Sequence, residues 1–357
     1  MQSDEKFMAT CLALAEKGRG FVSPNPMVGC AIVKNGKVAG KGFHEIFGGA
    51  HAEINALEKA GKKAKGSTLY VNLEPCCHWG RTGPCTNAII SAGIAKVVIA
   101  MQDPNPKMRG NGIAKLVESG VKVEIGVLAE QAEKLNEKFV KFMKTGKPFV
   151  CLKQAITSDG MVSWGNGKRK RISGKESREW ALGLRNGFDA IMVGINTVLK
   201  DNPRLTRRSG RFAGQISRIV LDARLRIPLN AKVFSSDKKA IIVCGQKADR
   251  KKEMLLQKKC VVLRVESRNG LIGMEELFAR LGKMGISSVL VEGGQALASS
   301  ILAENLADKV CWIVSKKKAG RKGKFFADKR VARICLKKVN VFMLGKDVVI
   351  EGMPISE

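Results

Sequence analysis

The chain has 357 residues, of which 45% are hydrophobic and 27% charged, enough for about two globular domains and unlike a disordered chain. No apolar run reaches the roughly 18 residues of a membrane helix, and the opening Met-Gln-Ser-Asp-Glu-Lys lacks the features of a secretory signal, so we expect a cytoplasmic protein without a membrane partner. The formal charge of +31 suggests an anionic partner, and ten scattered cysteines favour thiols or metal ligands over disulfides.

The first 146 residues predict strands that alternate with helices. Residues 28–42 form two extended runs around Asn35-Gly36, a dipeptide typical of a tight hairpin. Hydrophobic periodicity then predicts a helix at 52–60, a strand at 67–73, a helix at about 86–92, a strand at 96–100, a helix and a strand within 112–125, and a helix over 128–144. A sheet covered by helices follows from this alternation.

A domain boundary is predicted between residues 146 and 147. Gly146 and Pro148 interrupt the last helix just before a new apolar strand. The remaining chain, 147–357, predicts strands near 149–156, 190–194, 218–222, 240–244, 288–292 and 309–315, with helices near 175–186, 274–284 and 295–303. Both domains therefore have an α/β pattern.

Three residues of the first domain have the chemistry of zinc ligands. His51 is followed by Cys76, which comes after a proline, and by Cys85, which also comes after a proline. One imidazole and two thiolates leave a fourth tetrahedral position for water, as in catalytic zinc sites. Glu53, two residues after His51, is placed to take a proton from that water and return it to a leaving amine. The pattern is the signature of zinc deaminases.

The identity of the second ligand has alternatives. Cys77 and His78 lie beside Cys76 and are also able to bind metal. We favour Cys76 because the deaminase signature specifies a proline followed by a cysteine. Buried structural cysteines would explain Cys76 and Cys85, and a helix N-terminus with no catalytic role would explain His51 and Glu53. Neither alternative explains all these residues in this order.

Several segments of both domains match motifs of one enzyme family. In the first domain these are LEPCCHWGRTGPC at 73–85, PNPMVG at 24–29, GGAHAE at 48–53 and MQDPNP at 101–106. In the second they are CLKQAITSDG at 151–160, DAIMVGINTVLKDNPRLT at 189–206, RIVLDARLRIPL at 218–229 and VLVEGGQAL at 289–297. These segments resemble the bifunctional riboflavin-biosynthesis deaminase-reductases, and this resemblance implies a cytidine-deaminase-like three-layer domain followed by a dihydrofolate-reductase-like α/β domain.

The same resemblance implies two activities and two cofactors. A zinc-bound hydroxide would deaminate 2,5-diamino-6-(5-phosphoribosylamino)pyrimidin-4(3H)-one. NADPH would then reduce the ribosyl group of the product, a ribosylamino-uracil phosphate, to a ribityl chain. In the deaminase pocket the resemblance places Asn25, His44, Arg81, Asp103 and Asn105. Read from the sequence alone, Asn25, Asp103 and Asn105 are turn residues, because each has a proline neighbour.

For the reductase, the sequence alone offers one weak signal. Glu292-Gly293-Gly294 follows a strand and opens a helix, where backbone N–H groups can hold a phosphate. The resemblance adds Lys153 as a catalytic residue. It places Ser173, Arg185, Leu205, Arg208 and Glu292, together with Arg169, at the substrate. It places Ala155, Arg171, Thr197, Asp201, Ala223, Gly294, Gln295, Ala296, Leu297, Ala298, Ser299 and Ser300 beside NADPH.

The chain departs from the family pattern in one loop. Residues 167–173 read Gly-Lys-Arg-Lys-Arg-Ile-Ser where the family commonly has Gly-Glu-Ser-x-Trp-Ile-Thr, so Arg169 replaces a substrate-contacting serine and Arg171 a cofactor-side tryptophan. Cys77 takes a position that is usually serine.

The charge allows other functions for the second domain, which carries +24 against +7 for the first. A deaminase of RNA bases would use that domain to contact phosphates. Its few aromatic residues argue against base stacking, so a lysine-biased surface is our preferred explanation and no nucleic-acid partner is expected. A non-catalytic regulatory domain is a third alternative. The oligomeric state stays open, a homo-oligomer included.

Overall fold

The computed structural model describes residues 3–80, 83–164, 171–207, 216–235, 240–268, 270–320, 323–331 and 333–355. The chain divides into two compact units, residues 1–146 and 147–357. Each unit has its own sheet and its own hydrophobic core. Among the described residues, no helix combines the length and the apolar character needed to cross a membrane.

The first unit is built on a five-stranded sheet. Its elements are α1 (Ser3–Glu16), β1 (Gly29–Lys34), β2 (Lys37–Phe43), α2 (Ala52–Ala60), β3 (Thr68–Leu73), α3 (Cys85–Ser91), β4 (Lys96–Met101), α4 (Asn111–Glu118), β5 (Lys122–Ile125), α5 (Ala129–Leu135) and α6 (Glu137–Thr145). The strand order is β2-β1-β3-β4-β5. β1 is antiparallel to β2 and β3, whereas β3, β4 and β5 are parallel.

The predicted hairpin is confirmed. β1 and β2 are joined by Asn35 and Gly36, whose φ angles of 50° and 72° are both positive, as a two-residue hairpin turn requires. β3 and β4 are the central strands and are almost entirely buried, which agrees with their continuous apolar sequences. The carboxyl ends of these two parallel strands therefore lie side by side at one edge of the sheet.

Two glycines of β2 allow α2 to lie unusually close to the sheet. A Cβ atom on Gly42 would be 2.6 Å from the backbone nitrogen of Ala56 and 2.7 Å from the Cβ of Asn55. A Cβ on Gly40 would be 2.7 Å from the backbone nitrogen of Ala60. No other residue type permits these distances, so the two glycines fix the position of α2.

Two features of the first unit differ from the sequence prediction. The sequence analysis does not predict α1, which covers β1 and β3 with buried residues such as Met8 and Cys11. The single helix predicted over 128–144 is wrong, because Asn136 separates α5 from α6. The Asn136 side chain bonds to the backbone of Met27, accepting from its nitrogen at 2.9 Å and donating to its oxygen at 3.0 Å. Helical periodicity does not reveal such a tertiary bond.

The second unit is built on a nine-stranded sheet. Its elements are β6 (Phe149–Thr157), β7 (Met161–Ser163), α7 (Lys175–Leu184), β8 (Ala190–Gly194), α8 (Ile195–Asp201), β9 (Ser217–Leu221), β10 (Ile241–Gly245), α9 (Arg250–Gln257), β11 (Val261–Val265), β12 (Ser267–Arg268), β13 (Leu271–Ile272), α10 (Met274–Lys283), β14 (Ser288–Val291), α11 (Gln295–Ala303), β15 (Lys309–Ser315), β16 (Lys324–Phe325), β17 (Cys335–Leu344) and β18 (Asp347–Ile355). The strand order is β11-β10-β9-β8-β14-β6-β15-β18-β17. All neighbours are parallel except β15/β18 and β18/β17.

All six strands and three helices predicted for this unit are present, but several others were missed. α9 has a strongly polar sequence and depends on a cap, since the Asp249 side chain accepts from the Lys251 nitrogen at 2.8 Å. β17 is an edge strand whose residues are half-buried or exposed. Neither element carries the apolar period on which the prediction was based.

Candidate active site

The three predicted metal ligands meet in the first unit. His51 directly precedes α2, Cys76 lies in the loop after β3, and Cys85 is the first residue of α3. The Nδ1 atom of His51 lies 3.2 Å from the Sγ atom of Cys85 and 3.5 Å from that of Cys76. All three ligand atoms lie within 4.8 Å of one another. The sheet thus brings together residues that are far apart in sequence.

The electrostatics of this cluster suit a metal that binds thiolates. Hydrogen bonds from Cys85 and His51 lower the pKa of the Cys76 thiol to about 4. The pKa of Cys85 is raised, because its proton is held in the bond to Cys76 and because the residue is buried. The backbone nitrogen of Cys85 also donates to the Cys76 sulfur at 3.3 Å. One imidazole and two sulfurs form the donor set that zinc prefers, so these residues fit the ion.

Glu53 lies beside the ligands in the first turn of α2. Only 4% of the residue is exposed. Burial, followed by the neighbouring Cys76, raises the pKa of its carboxyl group to about 6. A carboxyl group with such a pKa can exchange a proton near neutral pH.

The two alternative ligands are placed differently. Cys77 is half-buried and is not a member of the group of ligand atoms formed by His51, Cys76 and Cys85. Burial raises the pKa of the Cys77 thiol, so it stays protonated near neutral pH. His78 is exposed and lies at the wall of the adjoining cavity.

A cavity of about 390 Å³ opens next to the ligands. Four of the five residues predicted for the deaminase pocket line it, namely Asn25, His44, Asp103 and Asn105, together with His51, Glu53 and Cys76. The fifth, Arg81, lies outside the described residues. Sequence reasoning missed Glu74, Phe139 and Met143, which also line the cavity. For Phe139 and Met143, the spacing of apolar residues along α6 is a signal that the sequence does contain.

Hydrogen bonds orient the polar residues of this cavity. The Nε2 atom of His44 lies 3.1 Å from the Nδ2 atom of Asn25, and its Nδ1 atom lies 3.0 Å from the Ala50 oxygen. Burial lowers the pKa of His44, so its ring is neutral and donates from Nδ1 to Ala50 while Nε2 accepts from Asn25. The Oδ1 atom of Asp103 accepts from the Asn105 nitrogen at 2.8 Å. Asp103 therefore shapes a turn and lines the cavity as well.

A second cavity, of about 380 Å³, lies in the second unit at the carboxyl ends of β8 and β9. In parallel α/β sheets this edge is where ligands bind. Four of the predicted cofactor residues line the cavity: Ala223, Ala296, Leu297 and Ser300. Asn196, Arg224 and Arg226 line it too and were missed by the sequence analysis. The Arg226 side chain donates to Asn196 Oδ1 at 3.1 Å.

The other predicted cofactor residues are not among those that line this cavity. Gly294 and Gln295 begin α11, whereas Ala298 and Ser299 are fully buried within that helix. Thr197 and Asp201 belong to α8, Ala155 is half-buried on β6, and Arg171 is exposed. The Ser299 hydroxyl is engaged inside the protein, since it donates to the Gln295 oxygen at 2.8 Å and accepts from the Asp328 nitrogen at 2.8 Å.

The predicted substrate residues of the second unit include a buried ion pair. Arg185 donates from Nε and Nη2 to the two carboxylate oxygens of Glu292, at 3.1 and 2.7 Å. Lys153 is half-buried on β6. It lies next to the end of β14, the strand that Glu292 directly follows. Leu205 and Ser173 are buried. Arg169 and Arg208 lie outside the described residues.

Known proteins resemble both units. Residues 1–101 match the cytidine and deoxycytidylate deaminase zinc-binding region, and residues 148–350 match the RibD C-terminal domain. The riboflavin biosynthesis protein RibD of Aquifex aeolicus (strain VF5) is 42% identical over 351 residues, which is 97% of each chain. The chain belongs to the RibD family. Acinetobacter baumannii RibD, form 1, has a TM-score of 0.90 at 34% identity, and each chain covers 99% of the other.

A further similar structure belongs to an enzyme with two activities. A diaminohydroxyphosphoribosylaminopyrimidine deaminase/5-amino-6-(5-phosphoribosylamino)uracil reductase from Thermotoga maritima is 37% identical, with a TM-score of 0.86 and 99% of both chains covered. The chain is a bifunctional deaminase and reductase of riboflavin biosynthesis, with zinc and NADPH as its cofactors. The predicted family, fold class and cofactors are confirmed, and the RNA-deaminase alternative is disfavoured.

Proposed function

We propose that the first unit deaminates 2,5-diamino-6-(5-phosphoribosylamino)pyrimidin-4(3H)-one in the cavity beside His51, Cys76 and Cys85. The observation that carries this proposal is the position of Glu53, buried against a zinc-type donor set and lining a cavity of about 390 Å³. Polar groups for the pyrimidine come from Asn25, Asp103 and Asn105, with His44 orienting the first of them.

Proton transfer by Glu53 accounts for the hydrolysis. When His51, Cys76 and Cys85 hold zinc, the ion would supply a bound water molecule that loses a proton near neutral pH. The Glu53 carboxylate takes that proton as the oxygen bonds to the ring carbon. It then gives the proton to the departing nitrogen, so the products are the ring carbonyl and ammonia. The pKa of about 6 suits both directions of this transfer.

We propose that the second unit reduces the deaminated ribosylamino-uracil phosphate. Bound NADPH would supply the hydride for the sugar C1. The bond from C1 to the ring oxygen would then break and that oxygen would take one proton, which opens the ring to a ribityl chain. Lys153 and Glu292 lie at neighbouring strand ends, where they would contact the sugar. The Arg185 guanidinium, held by Glu292, would contact the phosphate.

We also propose a position for the phosphate that distinguishes NADPH from NADH. Arg224 and Arg226 are exposed at the wall of the second cavity, beside Ala223 and α11. Guanidinium groups are suited to an extra phosphate on the adenosine ribose. Arg226 is partly ordered by Asn196, which leaves other donor atoms for a ligand. Arginine is common in this domain, so the sequence alone does not distinguish these two residues.

The cytosol is the compartment we propose. The ten cysteines are thiols and not disulfides, and two of them are the proposed thiolate ligands, which a reducing compartment protects.

A reciprocal pair of variants tests the two assignments. Glu53→Gln should retain zinc and lose about 10²- to 10⁴-fold in deamination, since the amide does not exchange the proton, while reduction continues. Lys153→Ala should show the opposite pattern. Product masses, measured with each substrate and with NADPH, report both steps. Glu58→Gln, an exposed acid on α2, is the matched control. Normal deamination by Glu53→Gln would remove Glu53 from the reaction.

A further inference from the structure

A buried carboxylate next to the zinc-ligand loop is not used by the chemistry described above. Glu74 follows β3, lies two residues before Cys76, and is only 5% exposed. A carboxylate buried so close to two prospective thiolates is electrostatically costly unless other groups compensate for it. Its hydrogen bonds show what compensates.

Four backbone N–H groups converge on the Glu74 side chain. Oε2 accepts from the nitrogens of Asp103 and Gly110, both at 3.0 Å. Oε1 accepts from the nitrogens of Gly112 at 2.9 Å and Ile113 at 3.3 Å. A carboxylate has about four acceptor positions, so this side chain is saturated by one segment of the chain, residues 103–113.

These bonds fasten both ends of the loop between β4 and α4. Gly110, the residue before α4, makes no side-chain cap bond, so Glu74 caps this helix from a different part of the fold. The positive end of α4 stabilises the charge on the carboxylate. Asp103 and Asn105, which line the deaminase cavity, lie within the fastened loop.

A close backbone contact holds the same loop from the other side. A Cβ on Gly112 would lie 3.2 Å from Glu74 Oε1 and still closer to the carbonyl oxygen of Pro75. α4 therefore begins in direct contact with the residue that precedes Cys76. The loop with the cavity-lining residues and the loop with the metal ligand are joined at Glu74 and Pro75.

We propose that Glu74 is a positioning residue for deamination. It holds the substrate-binding loop, residues 103–110, in its ordered form beside the Cys76 ligand, so that Asp103 and Asn105 are in place to bind the pyrimidine before it arrives. The proposal rests on the proposed function, which assigns those two residues to the substrate.

The Glu74→Gln variant is the direct test. Glutamine has the same shape but only one acceptor oxygen, so two of the four N–H groups would face its NH₂ group in either orientation. With the loop loosened and the ligands intact, we expect the KM for deamination to rise about tenfold and kcat to change by less than about threefold. Zinc content and NADPH-dependent reduction should stay at wild-type values.

A second variant loosens the same junction and leaves the Glu74 side chain itself unchanged. Gly112→Ala forces the start of α4 away from Pro75, and it should raise KM in the same way. Glu118→Gln, an exposed acid at the end of α4, should leave KM and kcat unchanged. This control separates the position of Glu74 from the loss of one negative charge.

The outcomes separate the proposal from its alternatives. Loss of zinc, or a lower kcat at constant KM in both variants, would mean a merely structural role and would overturn the proposal. Asp103→Ala and Asn105→Ala check the underlying function. If they leave KM unchanged, the proposed substrate loop is wrong as well. If they raise KM while Glu74→Gln and Gly112→Ala do not, only the positioning role is wrong.

Discussion

Replacing Gly42 by alanine should damage deamination through geometry alone. The new Cβ would lie 2.7 Å from the Cβ of Asn55 and still closer to the Ala52 oxygen, and ordinary contacts begin near 3.4 Å, so the start of α2 must move by at least about 0.7 Å. That turn carries Glu53 and follows His51. Displacements of about 1 Å can cost roughly 100-fold in rate, so we expect deamination to fall roughly 10- to 100-fold. Overpacking should also cost about 1–3 kcal/mol of stability.

The assay compares three glycine variants. Ammonia release measures deamination, NADPH oxidation measures reduction, and thermal unfolding measures stability. In Gly40→Ala the new Cβ meets the last turn of α2, at the Ala60 nitrogen. This variant should lose as much stability as Gly42→Ala but deaminate faster. Gly183→Ala meets no atom within 4 Å and should behave as wild type. Equal loss of deamination in Gly40→Ala and Gly42→Ala, or wild-type rates in Gly42→Ala, would refute the geometric argument.

Two further predictions concern the cofactors. Cys76→Ser should release zinc, because it removes one of three proposed protein ligands, whereas Cys77→Ser should retain the metal. Metal analysis of both variants measures this. Loss of zinc from Cys77→Ser alone would contradict the ligand assignment. Arg226→Ala should raise the KM for NADPH about tenfold and leave that for NADH unchanged, since only NADPH carries the additional phosphate. An equal rise for both cofactors would show that Arg226 does not contact that phosphate.

Local sequence signals predicted the features that depend on local chemistry. The hairpin at Asn35-Gly36, the buried parallel strands and the helices with an apolar face all follow from short-range rules. The zinc-ligand pattern was equally readable, because His51 and Cys85 each lie where a helix begins.

The features that escaped prediction depend on distant partners. Asn136 interrupts a helical period only because Met27 lies beside it in the fold. Glu74 looks like an ordinary acid until the four N–H groups around it are known. Arg224 and Arg226 are two of many arginines in a basic domain, and only the cavity distinguishes them.

The separation of the proposed zinc ligands along the chain has a consequence for how the enzyme matures. His51 is 25 residues from Cys76 and 34 from Cys85, and each is placed by a different loop or helix start around the sheet. An unfolded chain would not hold the three together, so tight metal uptake follows assembly of the first unit, and bound zinc in turn stabilises that unit by mass action. Zinc supply in the cell would therefore limit the amount of active deaminase, and chelation would lower the stability of the first unit.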